Sequence, residues 1–280
     1  MSKIGILYLV ATPIGNLEDI TYRAVKILQE VDLIAAEDTR HSLKLLNHLK
    51  ISKPLISYHR HNEDNKTDLL IKKLLNGENI AIITDAGTPA ISDPGEEVVK
   101  QAIKNNIKII PVPGACALIN ALIASGMDTK EFCFYGFLPL NKKLRKNKFD
   151  EIKKETKTII LYEAPHKINQ TLKDIFEELG DINIVIAREL TKIHEEFIRG
   201  KISEIIEQYS ELKGEMIIII EGNKNNIENN DIKELLKNMP LEEHFNYYKN
   251  QNFEKKEIIK KIAKDKGVNK NDIYMKLINK

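Results

Sequence analysis

The chain has 280 residues, of which 42% are hydrophobic and 30% are charged, the balance of a globular protein with room for two domains. Its net charge is +2, and its two cysteines, Cys116 and Cys133, stand apart in apolar surroundings, which excludes a disulfide framework and argues against a metal site. No apolar run approaches the roughly 18 residues of a membrane span and no signal peptide is recognisable, so we expect a cytoplasmic protein without membrane contacts.

The first part of the chain alternates short apolar runs with helical patterns. Strands are predicted at residues 4–10, 32–36, 55–58, 80–83 and 107–112. Between them, helices are predicted from about residue 20 and at residues 43–49, 68–75 and 96–104. This alternation predicts a parallel sheet with helices on both faces.

Two prolines and a glycine in residues 111–114 end the last of these strands and predict a domain boundary. A helix at 116–125 follows, and then strands are predicted at residues 132–135, 158–162, 183–187 and 215–221, with an additional short strand at 195–199. The helices of this part are predicted at residues 142–154, 167–179 and 201–209. We therefore predict an α/β fold with two α/β domains, residues 1–114 and 115–222, and a cleft between them.

Residues 223–280 are predicted to form a polar linker followed by a helical tail. Two short amphipathic helices, 254–264 and 270–278, flank a glycine turn, as in a helix-turn-helix. From residue 224 onward the chain carries 13 lysines against 9 acidic residues, whereas the first 223 residues have a net charge of −2. Such a tail suits contact with a phosphate backbone, but a solvated helical hairpin that docks on the body explains it equally well.

Small and polar residues follow nearly every predicted strand, and these loops are expected to share one rim. The sequence ITDAGTPAISDPG, residues 83–95, shows the pattern best, with Asp85 at the carboxyl end of a strand. Ligands of open α/β sheets bind at that end, although a simple turn is an alternative interpretation. Ser92, Asp93 and Pro94 are interpreted as a helix cap.

Several common sites are excluded by their missing motifs. The sequence has no G-x-G-x-x-G in its first loop, no G-x-x-x-x-G-K-[ST] and no G-x-S-x-G. Dinucleotide binding, phosphoryl transfer by a P-loop and serine hydrolase chemistry are therefore unsupported. The carboxylates, histidines and arginine of the rim fit a polar cofactor together with a nucleic acid or another anionic substrate.

A set of motifs carries a resemblance to a known family. They are YLVATPIGNLEDIT, AAEDTR, ITDAGTPAISDPG, PVPGACALINALIASG, GFLP, ILYEAPHKI, IARELTKIHEE and GEMIIIIEG. In order and spacing they resemble the ribosomal RNA small subunit methyltransferase I family, the RNA-modifying branch of the tetrapyrrole methylases. The match covers residues 4–222, and the tail resembles the helical appendage of that family.

The resemblance implies S-adenosylmethionine as methyl donor and, as acceptor, the 2′-hydroxyl of a decoding-centre cytidine of 16S rRNA within the 30S subunit. It also implies a homodimer with the cofactor between two domains. The cofactor residues carried over are Gly15, Asp85, Thr88, Pro89, Ala115, Cys116, Leu161, Ala187, Gly214 and Glu215. This chain departs from the family at Ala115-Cys116, where Pro-Ser is usual, and at Leu140, where an arginine is common.

Methyl transfer to a hydroxyl needs positioning and a proton acceptor. The candidate catalytic residues form a group without a chosen member, and for each a structural role is an alternative: Glu37, His59, Glu63, Glu163 and His166. The candidate RNA-binding residues are Arg40, Lys142, Lys143, Arg145 and Arg188. A tetrapyrrole methyltransferase of the same fold and a non-catalytic RNA-binding scaffold remain as alternative functions.

Overall fold

The computed structural model describes residues 4–209, 212–223 and 235–278. Contacts divide the chain into two compact units, Met1–Phe149 with Thr158–Glu221 and Asp150–Lys157 with Gly222–Lys280. Both sheets belong to the first unit. The predicted domain boundaries at residues 114 and 222 stay predictions.

The first sheet is parallel throughout, and its strand order is β3-β2-β4-β1-β5. Its strands are β1 (Ile6–Val10), β2 (Leu33–Ala36), β3 (Leu55–Ser57), β4 (Ile80–Ile83) and β5 (Lys108–Val112). The intervening helices are α1 (Tyr22–Glu30), α2 (Thr39–His48), α3 (Glu63–Leu75) and α4 (Glu96–Lys104). The predicted parallel α/β layer is confirmed.

Side-chain alternation along the strands gives this sheet two apolar faces. Leu7 and Ile82 pack in one cluster with Leu70 of α3 and Val98 of α4. On the opposite face of the sheet, Val10, Ile34 and Ile83 pack in a second cluster with Leu28 of α1 and Leu46 of α2. Because both faces are covered, the strands are near-continuous apolar sequences without a polar side.

Three helices of the first sheet begin elsewhere than predicted. Helix α2 begins at Thr39, four residues before the predicted start. A 3₁₀ turn, Leu17–Asp19, precedes α1, and the α-helix itself begins after Thr21, whose hydroxyl accepts a hydrogen bond from the backbone N–H of Ala24 at 3.1 Å. Helix α3 begins at Glu63, five residues before the predicted start. Its first turn, EDNKT, is entirely polar, so hydrophobic periodicity could not reveal it.

The second sheet is mixed, with strand order β6-β7-β10-β8-β9. Its strands are β6 (Phe132–Phe137), β7 (Thr158–Glu163), β8 (Asn183–Arg188), β9 (Glu196–Lys201) and β10 (Met216–Ile220), with helices α5 (Ala117–Ser125), α6 (Lys142–Ile152), α7 (Ile168–Leu179) and α8 (Ile202–Gln208). The additional strand predicted at 195–199 is confirmed as β9. Strands β7 and β8 both run antiparallel to β10, so their carboxyl ends meet at the edge where β10 begins.

The second unit contains α9 (Leu241–Lys249), α10 (Lys255–Lys266) and α11 (Lys270–Ile278). Tyr248, Ile258, Ile262 and Ile273 form its core, and Gly267 ends α10 in the left-handed conformation. The two predicted tail helices are confirmed, and α9 is an addition to them. The predicted linker lies, from residue 224, outside the described residues. Within the described ranges, no helix combines the length and apolarity needed to cross a bilayer.

Candidate functional site

A cavity of about 350 Å³ lies in the first unit where loops from the two sheets meet. Its walls come from the loops after β1, β4, β6, β7 and β8, from the start of α5 and from the start of β10. The lining is mainly apolar, and its polar side chains are Thr88, Ser92, Asp93, Glu163 and Glu215. An apolar pocket of this size with a few convergent polar groups is the usual form of a small-molecule site.

The loop after β4 is fixed against the loop after β1 by paired backbone hydrogen bonds. The N–H of Thr12 donates to the carbonyl of Gly87 at 2.9 Å, and the N–H of Gly87 donates to the carbonyl of Thr12 at 3.1 Å. Gly87 has φ +86°, a conformation that favours glycine. The Thr88 hydroxyl then donates to the carbonyl of Ala115 at 3.0 Å, which ties this loop to the start of α5.

The segment that follows has a strained backbone. Ala90 and Ser92 adopt positive φ angles of 67° and 65°, which L-residues with side chains seldom do, and each such residue costs roughly 1–3 kcal/mol. Gly95, not Ser92 or Asp93, is the N-cap residue of α4. The interpretation of Ser92, Asp93 and Pro94 as a helix cap is therefore wrong, because the turn directs Asp93 to the cavity wall instead.

Asp93 is the carboxylate with the most altered ionisation in the site. Burial, assisted by the negative charges of Glu37 and Asp85, raises its pKa to about 7, and Arg60 acts in the opposite direction. Arg60 is held close by donating a hydrogen bond from its Nη2 to the carbonyl of Ser92. Burial also raises the pKa of Glu37, so two carboxyl groups here bind protons more tightly than exposed ones would.

Aromatic rings form another part of the lining. Tyr162 packs edge-to-face against Phe134 and Phe137, with ring centroids 4.8 and 5.7 Å apart. Burial raises the pKa of Tyr162 to about 12, so the phenol stays neutral at physiological pH. Tyr162 and Phe137 both line the cavity and give it a rigid apolar wall.

An ion-pair network includes Glu215, which lines the cavity at the start of β10. The Nζ of Lys192 lies 3.0 Å from Oε1 of Glu189 and 3.1 Å from Oε2 of Glu215. The N–H of Glu215 donates to Glu189 Oε1 at 2.9 Å. Gly15 packs against the same loop so closely that a β-carbon there would lie 2.6 Å from Cγ of Lys192. Only glycine fits at this contact.

The family model for Tetrapyrrole (Corrin/Porphyrin) Methylases matches residues 6–206, about 72% of the chain. The chain belongs to the tetrapyrrole methylase family. The resemblance recognised in the sequence is confirmed as well by relatives called ribosomal RNA small subunit methyltransferase I. Those of Halalkalibacterium halodurans and Bacillus subtilis are 48% and 47% identical over 272 and 275 residues. These alignments cover 96% and 98% of this chain and 93% and 94% of the relatives.

Solved structures of the same fold are more distant in sequence. A diphthine synthase superposes with a TM-score of 0.62 at 12% identity, covering 80% of this chain and 94% of its own. The uroporphyrin III C-methyltransferase of Thermus thermophilus superposes with a TM-score of 0.56 at 15% identity, covering 80% of this chain and all of its own. These similarities establish the fold that this tetrapyrrole methylase shares with them.

In this tetrapyrrole methylase, four of the predicted cofactor residues line the cavity: Thr88, Cys116, Ala187 and Glu215. Five others directly adjoin a lining residue in sequence, namely Gly15, Asp85, Pro89, Ala115 and Gly214. Leu161 is completely buried and does not line the cavity, because strand alternation directs it to the face opposite Tyr162. Asp85 accepts a hydrogen bond from the N–H of Asp38 at 3.1 Å.

The predicted catalytic residues have different surroundings. Glu163 lines the cavity, and Glu37 and His59 lie close enough to interact electrostatically with each other. Glu63 instead accepts hydrogen bonds from the Tyr58 hydroxyl and from two backbone N–H groups at the start of α4. His166 is exposed on the loop after β7.

The predicted RNA-binding residues divide into free and paired side chains. Lys142 and Lys143 are exposed on α6. The three arginines are paired with acidic residues: Arg40 with Asp38 at 2.8 Å, Arg145 with Asp174 at 2.6 Å and Arg188 with Glu196 at 2.8 Å.

Sequence reasoning assigned no ligand contact to Asp93, Tyr162 or Phe137. Tyr162 is the neighbour of the predicted Leu161 and lies on the opposite face of the same strand. The one available signal for Asp93 was its place in a loop already predicted to bind a ligand. For the residues that the structure covers, no group of histidine, cysteine and acidic side chains has an arrangement that could hold a metal ion.

Proposed function

We propose that the chain transfers a methyl group from S-adenosylmethionine to the 2′-hydroxyl of a decoding-centre cytidine of 16S rRNA, within the 30S subunit and as a cytoplasmic homodimer. One observation carries most of the proposal. The two relatives described above, named as small-subunit rRNA methyltransferases, align with 96% and 98% of the chain, including its helical tail, whereas the uroporphyrin methyltransferase matches 80%.

The residues of the cavity fit such a methyl donor. A volume of about 350 Å³ falls within the range of roughly 300–1,000 Å³ of small-molecule pockets. Tyr162, Phe137 and the small side chains of Cys116 and Ala187 suit a flat purine ring. The carboxylates of Glu163 and Glu215 complement a ligand that carries positive charge. When bound, S-adenosylmethionine would supply an electrophilic methyl group.

Asp93 is the residue we propose as proton acceptor for the hydroxyl. It faces the cavity, and none of the residues that the structure describes donates a hydrogen bond to its carboxylate. A pKa of about 7 matches the working pH, where general-base assistance typically contributes about 10²- to 10⁴-fold. Glu37 and His59 remain candidates beside it, and the exposed Lys142 and Lys143 are proposed to contact RNA phosphates.

The test offers labelled S-adenosylmethionine to three acceptors: free 16S rRNA, 30S particles and uroporphyrinogen. We expect label in the rRNA, strongest with 30S particles, and an alkali-resistant dinucleotide at the modified ribose. Asp93→Asn should lose methyl transfer while it retains cofactor affinity. Label in uroporphyrinogen alone would support a tetrapyrrole methyltransferase, and cofactor binding without any labelling would support an RNA-binding scaffold.

A further inference from the structure

A continuous series of hydrogen bonds joins α6, α7 and the end of β7. Arg145 donates from Nε to Oδ2 of Asp174 at 2.7 Å and from Nη2 to the hydroxyl oxygen of Thr171 at 2.8 Å. Thr171 donates to Oε2 of Glu163 at 2.5 Å, and the N–H of Ala164 donates to Oε1 of Glu163 at 2.8 Å. The series ends on a carboxylate that lines the cavity.

The direction of these bonds is fixed by their chemistry. A threonine hydroxyl has one hydrogen and two lone pairs, and a guanidinium can only donate. Because Thr171 gives its hydrogen to Glu163, it accepts from Arg145. The positive charge of Arg145 therefore polarises the Thr171 hydroxyl towards Glu163, and such charge-assisted bonds are stronger than neutral ones.

Because Glu163 is buried, its carboxylate needs the hydrogen bonds of this series. Glu163 and Thr171 expose 5% and 1% of their surface, and the side chains of Arg145 and Asp174 expose 17% and 20%. A carboxylate so far removed from water is costly unless donors satisfy it. Thr171 and Ala164 supply one donor to each oxygen, and each oxygen keeps a further lone pair.

The same contacts change the role expected of Arg145. The sequence predicted an RNA contact, yet its guanidinium is engaged by Asp174 and Thr171. The neighbouring cations Lys142 and Lys143 are exposed. Arg145 therefore forms part of the hydrogen-bonded interior of the first unit, and we do not expect it to contact RNA.

We propose that Thr171 and Arg145 are positioning residues that hold the Glu163 carboxylate in one orientation on the cavity wall, where it binds the positively charged part of the ligand. The inference rests on the proposed function, since S-adenosylmethionine is the cationic ligand in question. It concerns cofactor binding and requires no RNA.

Calorimetric titration of the full-length chain with S-adenosylmethionine, without RNA, tests the proposal. Thr171→Val keeps the shape but removes the hydroxyl, and we expect about tenfold weaker binding from one lost charge-assisted bond. Thr171→Ser keeps the hydroxyl and should stay within about threefold of the original affinity. Glu163→Gln should weaken binding at least as much as Thr171→Val. Lys173→Met, which removes an exposed cation from the same helix, should leave the affinity unchanged.

Variants of Arg145 provide a second test of the proposal. Arg145→Met should weaken cofactor binding about tenfold even without RNA, and Arg145→Lys should recover part of the loss because it retains the charge. Unchanged affinity in Thr171→Val and Arg145→Met, measured well below their unfolding temperatures, would overturn the positioning role even if both variants were less stable. Failure of the original chain to bind S-adenosylmethionine would instead overturn the proposed function.

Discussion

Ionisation of Asp93 destabilises the folded state, so the effect of this residue on stability depends on pH. Its folded pKa of about 7 lies above the ordinary value of 3.8, so the folded chain holds a proton there that the unfolded chain releases. The stability from this proton is present below pH 4 and is lost as pH rises through 7. The charge then remains in a partly buried site beside Glu37 and Asp85.

Replacing Asp93 with Asn should therefore stabilise the protein in a pH-dependent manner. An amide cannot ionise, so the melting temperature of Asp93→Asn should exceed that of the original chain at pH 8, and the difference should shrink towards pH 4. Thermal unfolding at several pH values measures this. A constant difference across that range would show that the carboxyl group of Asp93 does not titrate near neutrality.

Tyr162 offers a second prediction at this scale. Tyr162→Leu removes a ring that lines the cavity and packs against Phe134 and Phe137, and we expect cofactor affinity to fall about tenfold. Tyr162→Phe retains the ring and should bind nearly as well, because the phenol is not needed as an acid. Equal losses in both variants would assign the contribution to the hydroxyl instead.

Single residues of the site were partly predictable. Thr88, Cys116, Ala187 and Glu215, which line the cavity, came from the resemblance to the family. Asp93 was missed since Ser-Asp-Pro also has the composition of a helix start, and the positive φ of Ser92 cannot be read from the sequence. The amino-acid composition of this segment does not distinguish a helix start from a turn that contains a residue with positive φ.

Among the elements, α4 depends on a cap that comes from another helix. Glu63 of α3 accepts from the N–H groups of Gly95 and Glu97 at 3.1 and 3.4 Å, and from the Tyr58 hydroxyl at 3.0 Å. The carboxylate thus satisfies two otherwise unpaired donors of α4 and interacts with the positive end of its dipole. Burial, in turn, raises the pKa of Tyr58.

Glu63→Ala should consequently lower the free energy of unfolding by about 1.5–3 kcal/mol, the range for hydrogen bonds to a charged group. Glu63→Gln retains an acceptor oxygen and should lose less. Chemical denaturation gives both values. Full stability together with a large loss of methyl transfer would return Glu63 to the candidate bases.

Buried helices and strands were predicted more accurately from the sequence than segments with polar residues. Strands such as β4 and β10 are uninterrupted apolar runs between polar turns, and each was predicted nearly to its ends. The polar start of α3 gave no periodic signal. The place of β10 between β7 and β8 depends on pairing between distant segments, which local patterns do not encode.

At the scale of the whole molecule, the second unit has its own core. Ile262 is completely buried among Tyr248, Ile258 and Ile273. Ile262→Ala should cost about 2–5 kcal/mol by leaving a cavity. Hydrogen exchange should show the loss in the amides of α9 to α11 while the amides of β1 and β10 keep their protection. Equal loss in both sets would indicate one cooperative structure.

The central position of β10 also has a consequence for the order in which the chain acquires its fold. Met216–Ile220 is the last strand in sequence among the residues that the structure describes, yet it pairs with β7 on one side and β8 on the other. During synthesis, β6 with β7 and β8 with β9 can pair early, but each pair presents an open apolar edge until residue 220 emerges. Completion of the cavity wall therefore waits for β10, and an interrupted chain would be prone to aggregate.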